Sequence, residues 1–459
     1  MTSLHALATA FVVAGALSAL PGLPALAESI LLRGVVIVDP AVADAPHTAD
    51  VLVRDGTIAA IAATGKGSAA GARVVEGGGR FLIPGLSEMH AHVPPPAEQR
   101  ELAEDYLELY VANGVTTIRG MLGAPWHITL RSEIASGKVL GPRFFAGAPS
   151  LNGNTAPDVA TAVRLVREYR GAGFDFLKLH PGLKREVFDA IVTTAREVHI
   201  EFAGHVSEAV GIEHALESRQ SAVDHLDGYL EGTVDPACRG QRDGGFFGVE
   251  LVDCMNPARI APLVKLTLES GTWNVATETL LDKFVEPPAT DTDALRRRPE
   301  MKYMAPATAQ NWIRALANWG RDSVTPEKAR RFIELRRQLL RALYEAGAPL
   351  MIGSDSPQVF NVPGFATHDE LGAFVRAGIP PRAALQAATL NPARFFGHER
   401  EFGSIEVGKA ADFVLLEANP LDNIDNTRRI AGVMVRGRWL SRADLDKMLA
   451  EIATRAAKR

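Results

Sequence analysis

Phe81-Leu82-Ile83-Pro84-Gly85-Leu86-Ser87-Glu88-Met89-His90-Ala91-His92 is the stretch from which the fold is read. Its apolar run 81–86 is short and carries β-branched and aromatic members, which predicts a buried strand. His90 and His92 follow directly. On a strand, residues i and i+2 point to the same side, so both imidazoles can converge on one point. Imidazole is the commonest side-chain ligand for borderline divalent cations, and a pair at a strand end is half a metal site. Two partly buried structural histidines are the competing reading, which the tripeptide alone does not exclude.

Outward from this stretch, strands alternate with helices. Strands are predicted over 115–118, 143–146, 174–179, 200–203, 222–223, 273–276 and 349–352, and helices over 98–112, 159–169, 186–198, around Glu213 and over 328–344. With the first strand that makes eight, which predicts an α/β fold and specifically a closed (β/α)₈ TIM barrel over 81–399. Residues 28–80 and 400–445 read instead as short strands and turns, with Asp55-Gly56 a hairpin signal. Together they predict a small β-sandwich domain built from both chain ends. Two connections exceed the usual few residues. One, 228–255, is Gly-rich; the other, 283–321, carries Arg296-Arg297-Arg298, Tyr303 and Trp312. Both follow strands and are expected as lid or specificity elements, with inert surface decoration the alternative.

A length of 459 residues suits one large barrel with an appendage. A hydrophobic fraction of 47% and a charged fraction of 22% are those of an ordinary globular protein. The formal charge of -5 offers no case for nucleic acid as a partner. Residues 4–20 are apolar and alanine-rich, followed by Pro21, Pro24 and Ala25-Leu26-Ala27, although no Lys or Arg precedes them. This predicts a signal peptide over 1–27, cleaved after Ala27, and a secreted or periplasmic protein. A retained anchor is the alternative; Pro21-Gly22 ends the apolar run early for one. No membrane partner is expected after cleavage. The two cysteines, Cys238 and Cys254, form either a disulfide or two free thiols. Oligomeric state stays open, a homo-oligomer included.

Polar, metal-competent residues recur at the predicted strand ends. Lys178 closes the fourth strand, His205 follows the fifth, His225 the sixth, and Asp355 stands in Ile352-Gly353-Ser354-Asp355 after the eighth. The set is far more specific than any member alone.

These residues, with Pro84-Gly85-Leu86, Phe176-Leu177-Lys178-Leu179-His180, Gly353-Ser354-Asp355 and Gly408-Lys409-Ala410-Ala411-Asp412-Phe413, resemble the amidohydrolase superfamily over nearly the whole mature chain. The resemblance is to its imidazolonepropionase-like and prolidase-like branch. It implies two divalent metal ions, with zinc the first choice and manganese, cobalt or iron compatible with the same donors. It implies further that His90, His92 and Asp355 bind one ion, that His205 and His225 bind the other, and that Lys178, carboxylated by carbon dioxide, bridges them. An ammonium would repel two cations, whereas burial and nearby positive charge favour the neutral amine that takes up carbon dioxide. An ordinary lysine paired with an acid is the alternative for Lys178. Paired ions acidify a shared water; Asp355 then accepts its proton and returns it to the leaving amine.

His180 shares the face of Lys178 and is a candidate substrate contact. Tyr229 resembles a tyrosine that in related dipeptidases touches the substrate carbonyl, though at a different offset, and packing is its other reading. His368 is a substrate contact or a helix cap. His214 reads as a surface or packing residue. Pro94-Pro95-Pro96 stiffens the loop that leaves the histidine pair. Arg296 to Arg298 could meet a substrate carboxylate or form a solvated face. The implied substrate is a small amide, a dipeptide or N-acyl amino acid with a free carboxylate. A lactonase or esterase is the alternative on the same site. A mononuclear deaminase or imidazolone hydrolase would lack the Lys178 bridge. A non-catalytic metal-binding protein is the alternative of another class, against which Asp355 stands.

Overall fold

The structure is a computed structural model describing residues 29–42, 45–238, 246–285, 291–318 and 324–459. The leader predicted over 1–27 lies outside the described residues.

Five strands open the chain: β1 (Ile30–Ile37), β2 (His47–Arg54), β3 (Thr57–Ala63), β4 (Arg73–Glu76) and β5 (Phe81–Pro84). The apolar run at 81–86 is therefore not one strand. It breaks at Gly85, and β6 (Leu86–Ala91) begins beyond it, carrying His90 on the strand itself. A Cβ at Gly85 would lie 2.1 Å from Thr116 Oγ1, so glycine alone lets the chain cross here from one sheet to the next.

With β6 run β7 (Val115–Gly120) and β8 (Arg143–Ala146), all parallel. A second parallel sheet holds β9 (Phe176–Leu179), β10 (Glu201–Gly204), β11 (Ala222–Asp224), β12 (Trp273–Val275) and β13 (Leu350–Met351), in chain order. Parallel bridges Gly147 to Phe176 and Leu151 to Leu179 join β8 to β9, and Ala91 to Ser356 joins β6 to the segment after β13. Met89 N donates to Ile352 O at 2.9 Å along the same seam. Met89, Phe176, Ala203, Ala222, Val275 and Met351, one from each of six strands, pack with Met121 into a buried cluster of their own. That is what inward-facing side chains of such strands do when they fill a closed interior. Helices Arg100–Ala112, Val159–Ala172, Arg185–Val198, Pro326–Glu345 and Phe365–Arg376 return the chain between strands or after the last. Asp158 caps the second of these by accepting from Thr161 N at 2.8 Å, and Gly173, at φ 87°, ends it.

The chain closes with β14 (Phe413–Leu416), β15 (Ile430–Val435) and β16 (Arg438–Ser441). Both ends contribute to one eight-stranded sheet in the order β16-β15-β14-β5-β1-β2-β3, with β4 on β1. A single sheet thus stands where the sequence suggests a sandwich of two. It covers a core of its own, with Ile30, Leu32, Val51, Leu82, Phe413 and Met434 among its members. Past the predicted boundary at 445 the helix Arg442–Ala456 continues, and Arg455 binds Asp105 at 2.6 Å on the helix after β6.

Both long excursions are fastened, the first to itself and the second to the segment after β13. In the first, Cys238 and Cys254 form a disulfide. In the second, Tyr303 stacks on Phe365 with ring centroids 5.4 Å apart, and Trp312 meets Phe360 at 5.3 Å. Among the described residues no helix is long and apolar enough to cross a membrane.

Candidate metal centre

The predicted ligands gather where the carboxyl ends of β6, β9, β10, β11 and β13 meet. His92 Nε2 lies 2.6 Å from Asp355 Oδ1, and His90 Nε2 lies 3.6 Å from the same oxygen. His225 Nδ1 is 4.0 Å from Asp355 Oδ2. The His225 ring lies 4.5 Å from both His90 and His205. His90, His225 and Asp355 each offer a ligand atom within 4.8 Å of the others. Lys178 enters from β9, its Nζ 3.9 Å from Asp224 Oδ2, which is itself 3.6 Å from His90 Nδ1.

Backbone strain marks the same place. His225, Leu226, Thr277 and Asp355 have φ of 65°, 52°, 50° and 59°, uncommon for residues with a Cβ. Gly353 allows the approach of the last strand to the first: a Cβ there would lie 2.9 Å from His90 N and 2.4 Å from Val275 Cγ1.

The electrostatics suit cation binding. Burial first, and then Lys178, holds His90 well below the ordinary histidine range; burial and then His90 do the same for His225. Burial and Lys178 lower His205 to about 3. Neutral imidazole is the form that ligates. Burial pushes Lys178 down to about 8 against the upward pull of Asp224 and Asp355. His90 Nδ1, Lys178 Nζ, Asp224 Oδ2 and His225 Nε2 are buried without a hydrogen-bond partner. Orphaned buried polar atoms are costly; a cation would satisfy those of His90, Asp224 and His225, whereas an ammonium on Lys178 would repel one.

Sequence reasoning overlooked the residues that hold these ligands. Asp227 Oδ2 accepts from His205 Nδ1 at 3.0 Å and from Val206 N at 3.1 Å. Thr277 Oγ1 meets His225 Nδ1 at 2.8 Å, and Nε2 is left without a partner. Gln358 Nε2 donates to Asp355 Oδ2 at 2.8 Å. Arg119 donates to Asp224 Oδ1 at 2.5 Å and to Met89 O at 2.7 Å, its guanidinium lying between Phe176 and Phe395. Glu88 accepts from His90 N, Ser354 N, Ser354 Oγ and Thr367 Oγ1, tying β6 to the loop after β13. A visible signal existed: Asp224-His225-Leu226-Asp227 brackets the ligand with two acids.

Of the candidate substrate contacts, His180 is in position. Its ring stacks 4.9 Å from His205, its Nδ1 meets Ser150 Oγ at 2.5 Å, and it lines a cavity of about 710 Å³ with Ser150, Asn152 and Asn154. Tyr229 is not in position: it is fully buried, with its hydroxyl 2.7 Å from Thr267 Oγ1. His368 is also committed elsewhere, with Nδ1 2.9 Å from Thr427 Oγ1 and Nε2 3.0 Å from Asn113 O. Arg298 spends its charge on Asp369 and Glu300, while Arg296 and Arg297 are exposed. His214 faces Asp189 at 2.6 Å on the outside of the ring, as a surface residue should.

The Amidohydrolase family model matches residues 81–440, from β5 through β16. An imidazolonepropionase of Rubrobacter xylanophilus is 26% identical over 373 residues, 76% of this chain and 78% of that protein. One of Symbiobacterium thermophilum is 40% identical over 80 residues. Matches to the first curated relatives span only 18% to 22% of those proteins. A Xaa-Pro dipeptidase structure with bound methionine superposes with a TM-score of 0.66 at 20% identity, covering 90% of this chain and 100% of that one. A bottromycin amidohydrolase gives 0.69 at 24% identity, covering 93% and 90%. At such identities the likeness is one of fold. With the family match spanning most of its length, the chain belongs to the amidohydrolase family.

Proposed function

We propose that this hydrolase cleaves an amide bond in a small substrate, a dipeptide or N-acyl amino acid, at a binuclear metal centre on a closed (β/α)₈ barrel. The observation that carries the reading is the convergence of buried, partnerless donors from β6, β9 and β11 on the ends of β10 and β13. His90, His92 and Asp355 would hold one ion and His205 and His225 the other, with zinc the first choice. Bound there, the ions supply Lewis acidity, activating a water and polarising the carbonyl.

This chain's residues supply the remainder. Lys178, whose amine burial brings down to about 8, would add carbon dioxide, forming an N–C bond with loss of one proton, and the carbamate would offer the ions anionic oxygens where an ammonium would repel them. Asp355, held at Oδ2 by Gln358, accepts the proton of the attacking water and passes it to the leaving amine. His180 and Ser150 line the cavity beside His205 and position the substrate there. The leader and the Cys238–Cys254 disulfide support a secreted or periplasmic location.

The test is elemental analysis of the purified protein together with a panel of dipeptides, N-acyl amino acids and lactones. The reading expects two metal equivalents, hydrolysis of amides, and loss of one equivalent in Lys178→Ala. Asp355→Asn should lower kcat/KM by about 10²-fold or more. A single equivalent with Lys178→Ala harmless would overturn the bridge, and lactones cleaved while every amide is spared would overturn the substrate class.

A further inference from the structure

Resting on that reading, we infer that Phe247 is a specificity-determining residue, an aromatic wall that selects substrates bearing an aryl or other bulky apolar group beside the scissile bond. Among the described residues, Phe247 sets an aromatic ring beside the histidines of the centre: its ring centroid lies 5.2 Å from that of His225 and 6.3 Å from that of His205, nearly parallel to the latter at 15°. It is half-buried although His225 beneath it is fully buried. An aromatic ring so placed gives an apolar substrate group a partner worth more than its area alone.

The backbone is built to aim this ring. Phe247 has φ 53° and ψ 32°, a left-handed conformation costly for a residue with a Cβ, and Gly248 follows at φ 78°. A Cβ on Gly248 would come within 3.0 Å of the Glu231 carboxyl, so the turn sits tightly on the helix Tyr229–Gly232. The stem of the excursion is fixed as well. Val234 pairs antiparallel with Met255, Asp235 N donates to Cys254 O at 2.9 Å, and the Cys238–Cys254 disulfide closes it. Lys328 binds Glu250 at 2.6 Å and Arg331 faces Asp253 at 3.4 Å, mooring the segment to the helix Pro326–Glu345. A local strain held by this many ties is a positioned feature, not slack. On the other flank of the centre, a cavity carries the hydrogen-bonding side chains of His180, Ser150 and Asn152. The preferred substrate therefore presents an apolar group to Phe247 and a hydrogen-bonding group to His180.

The probes are benzohydroxamate and acetohydroxamate, metal-binding molecules that differ by a phenyl for a methyl, titrated calorimetrically into the zinc-loaded protein. N-benzoylglycine against N-acetylglycine and N-acetylphenylalanine against N-acetylalanine supply the matching kcat/KM ratios. Wild type should favour the phenyl hydroxamate, and the phenyl member in at least one substrate pair. Phe247→Ala should lower those ratios about tenfold, the scale on which an apolar pocket discriminates, with metal content unchanged. Phe247→Leu should recover part of the ratio. A Cys238→Ser/Cys254→Ser double variant should lower the ratio in wild type and add nothing in Phe247→Ala, because both changes act through one ring. Equal affinity of wild type for the two hydroxamates, or ratios unmoved in Phe247→Ala, would overturn the assignment while leaving the metal centre intact. Neither hydroxamate binding would overturn the metal reading and this inference together.

Discussion

Asp227 stands two residues beyond His225 yet serves a different histidine. Its Oδ2 accepts from His205 Nδ1, which fixes the ring's tautomer and leaves Nε2 as the nitrogen free to ligate. Replacing the carboxylate by an amide removes the acceptor charge while keeping the shape. Asp227→Asn should weaken metal binding about 10- to 100-fold, the usual cost of losing such a partner, measured by competition with a chromogenic chelator. Unchanged affinity would mean that His205 is held by packing alone. The proposed ligands are legible in sequence because a strand end with a metal-competent side chain is a patterned event, and five such ends, three of them with histidines, are improbable by chance. Asp227, Thr277 and Glu88 are not legible in that way, since their partners are 22, 52 and 266 residues distant and no local period records them. Tyr229 and His368 mislead for the opposite reason: the same side chains that touch substrates also fill cores, and only Thr267 and Thr427 beside them reveal which.

At the scale of elements, the second excursion is fastened by one carboxylate. Asp369, on the helix Phe365–Arg376, binds Lys283 at 2.9 Å, Arg298 at 2.8 Å and Arg428 at 2.7 Å. Burial alone would raise its pKa, but the three cations hold it far below the ordinary carboxylate range. A depressed folded value means that the stabilisation is complete above the unfolded pKa of about 3.9 and is lost as pH falls through the folded value. Asp369→Asn should therefore destabilise by about 3 kcal/mol at neutral pH, the low end for breaking a buried ion pair, since Arg428 remains partly solvated. In denaturant melts the gap between variant and wild type should narrow only as pH drops below about 4. A gap constant down to the lowest pH would show that packing, not charge, is lost. The sequence reading located this excursion by its length but not its clasp, because opposite charges 71 and 86 residues apart leave no spacing to read. It also merged β5 with β6, reading Pro84-Gly85 as an interruption within one strand. The pairing of β5 with β14 and of β6 with β7, and the clash a Cβ at 85 would make with Thr116, show that the chain changes sheets there.

For the whole molecule, the proposed metal centre would tie the two parallel sheets together as well as serve as a reactive site. Its donors come from strands spread between residues 90 and 355, including β6 at one side of a seam and the segment after β13 at the other, where few backbone bridges join them. In the unfolded chain those donors are scattered and bind weakly, so ions that bind the folded state alone stabilise it by about 2.7 kcal/mol when their free concentration is one hundred times Kd. Stripping the ions also restores the burial cost of the orphaned atoms on His90, Lys178, Asp224 and His225. Chelation should accordingly lower Tm by several degrees and readdition of zinc should restore it, while a His90→Ala/His225→Ala double variant, already without its ligands, should show no chelator response. Seam and centre should loosen together, so hydrogen exchange at Met89 N, which donates across that seam to Ile352 O, should accelerate on chelation while exchange at Leu415 N in the end sheet stays unchanged. An unchanged Tm and an unchanged Met89 amide in the chelated protein would mean that the ring is closed by its interior packing of Met89, Phe176 and Met351 without help from the ions.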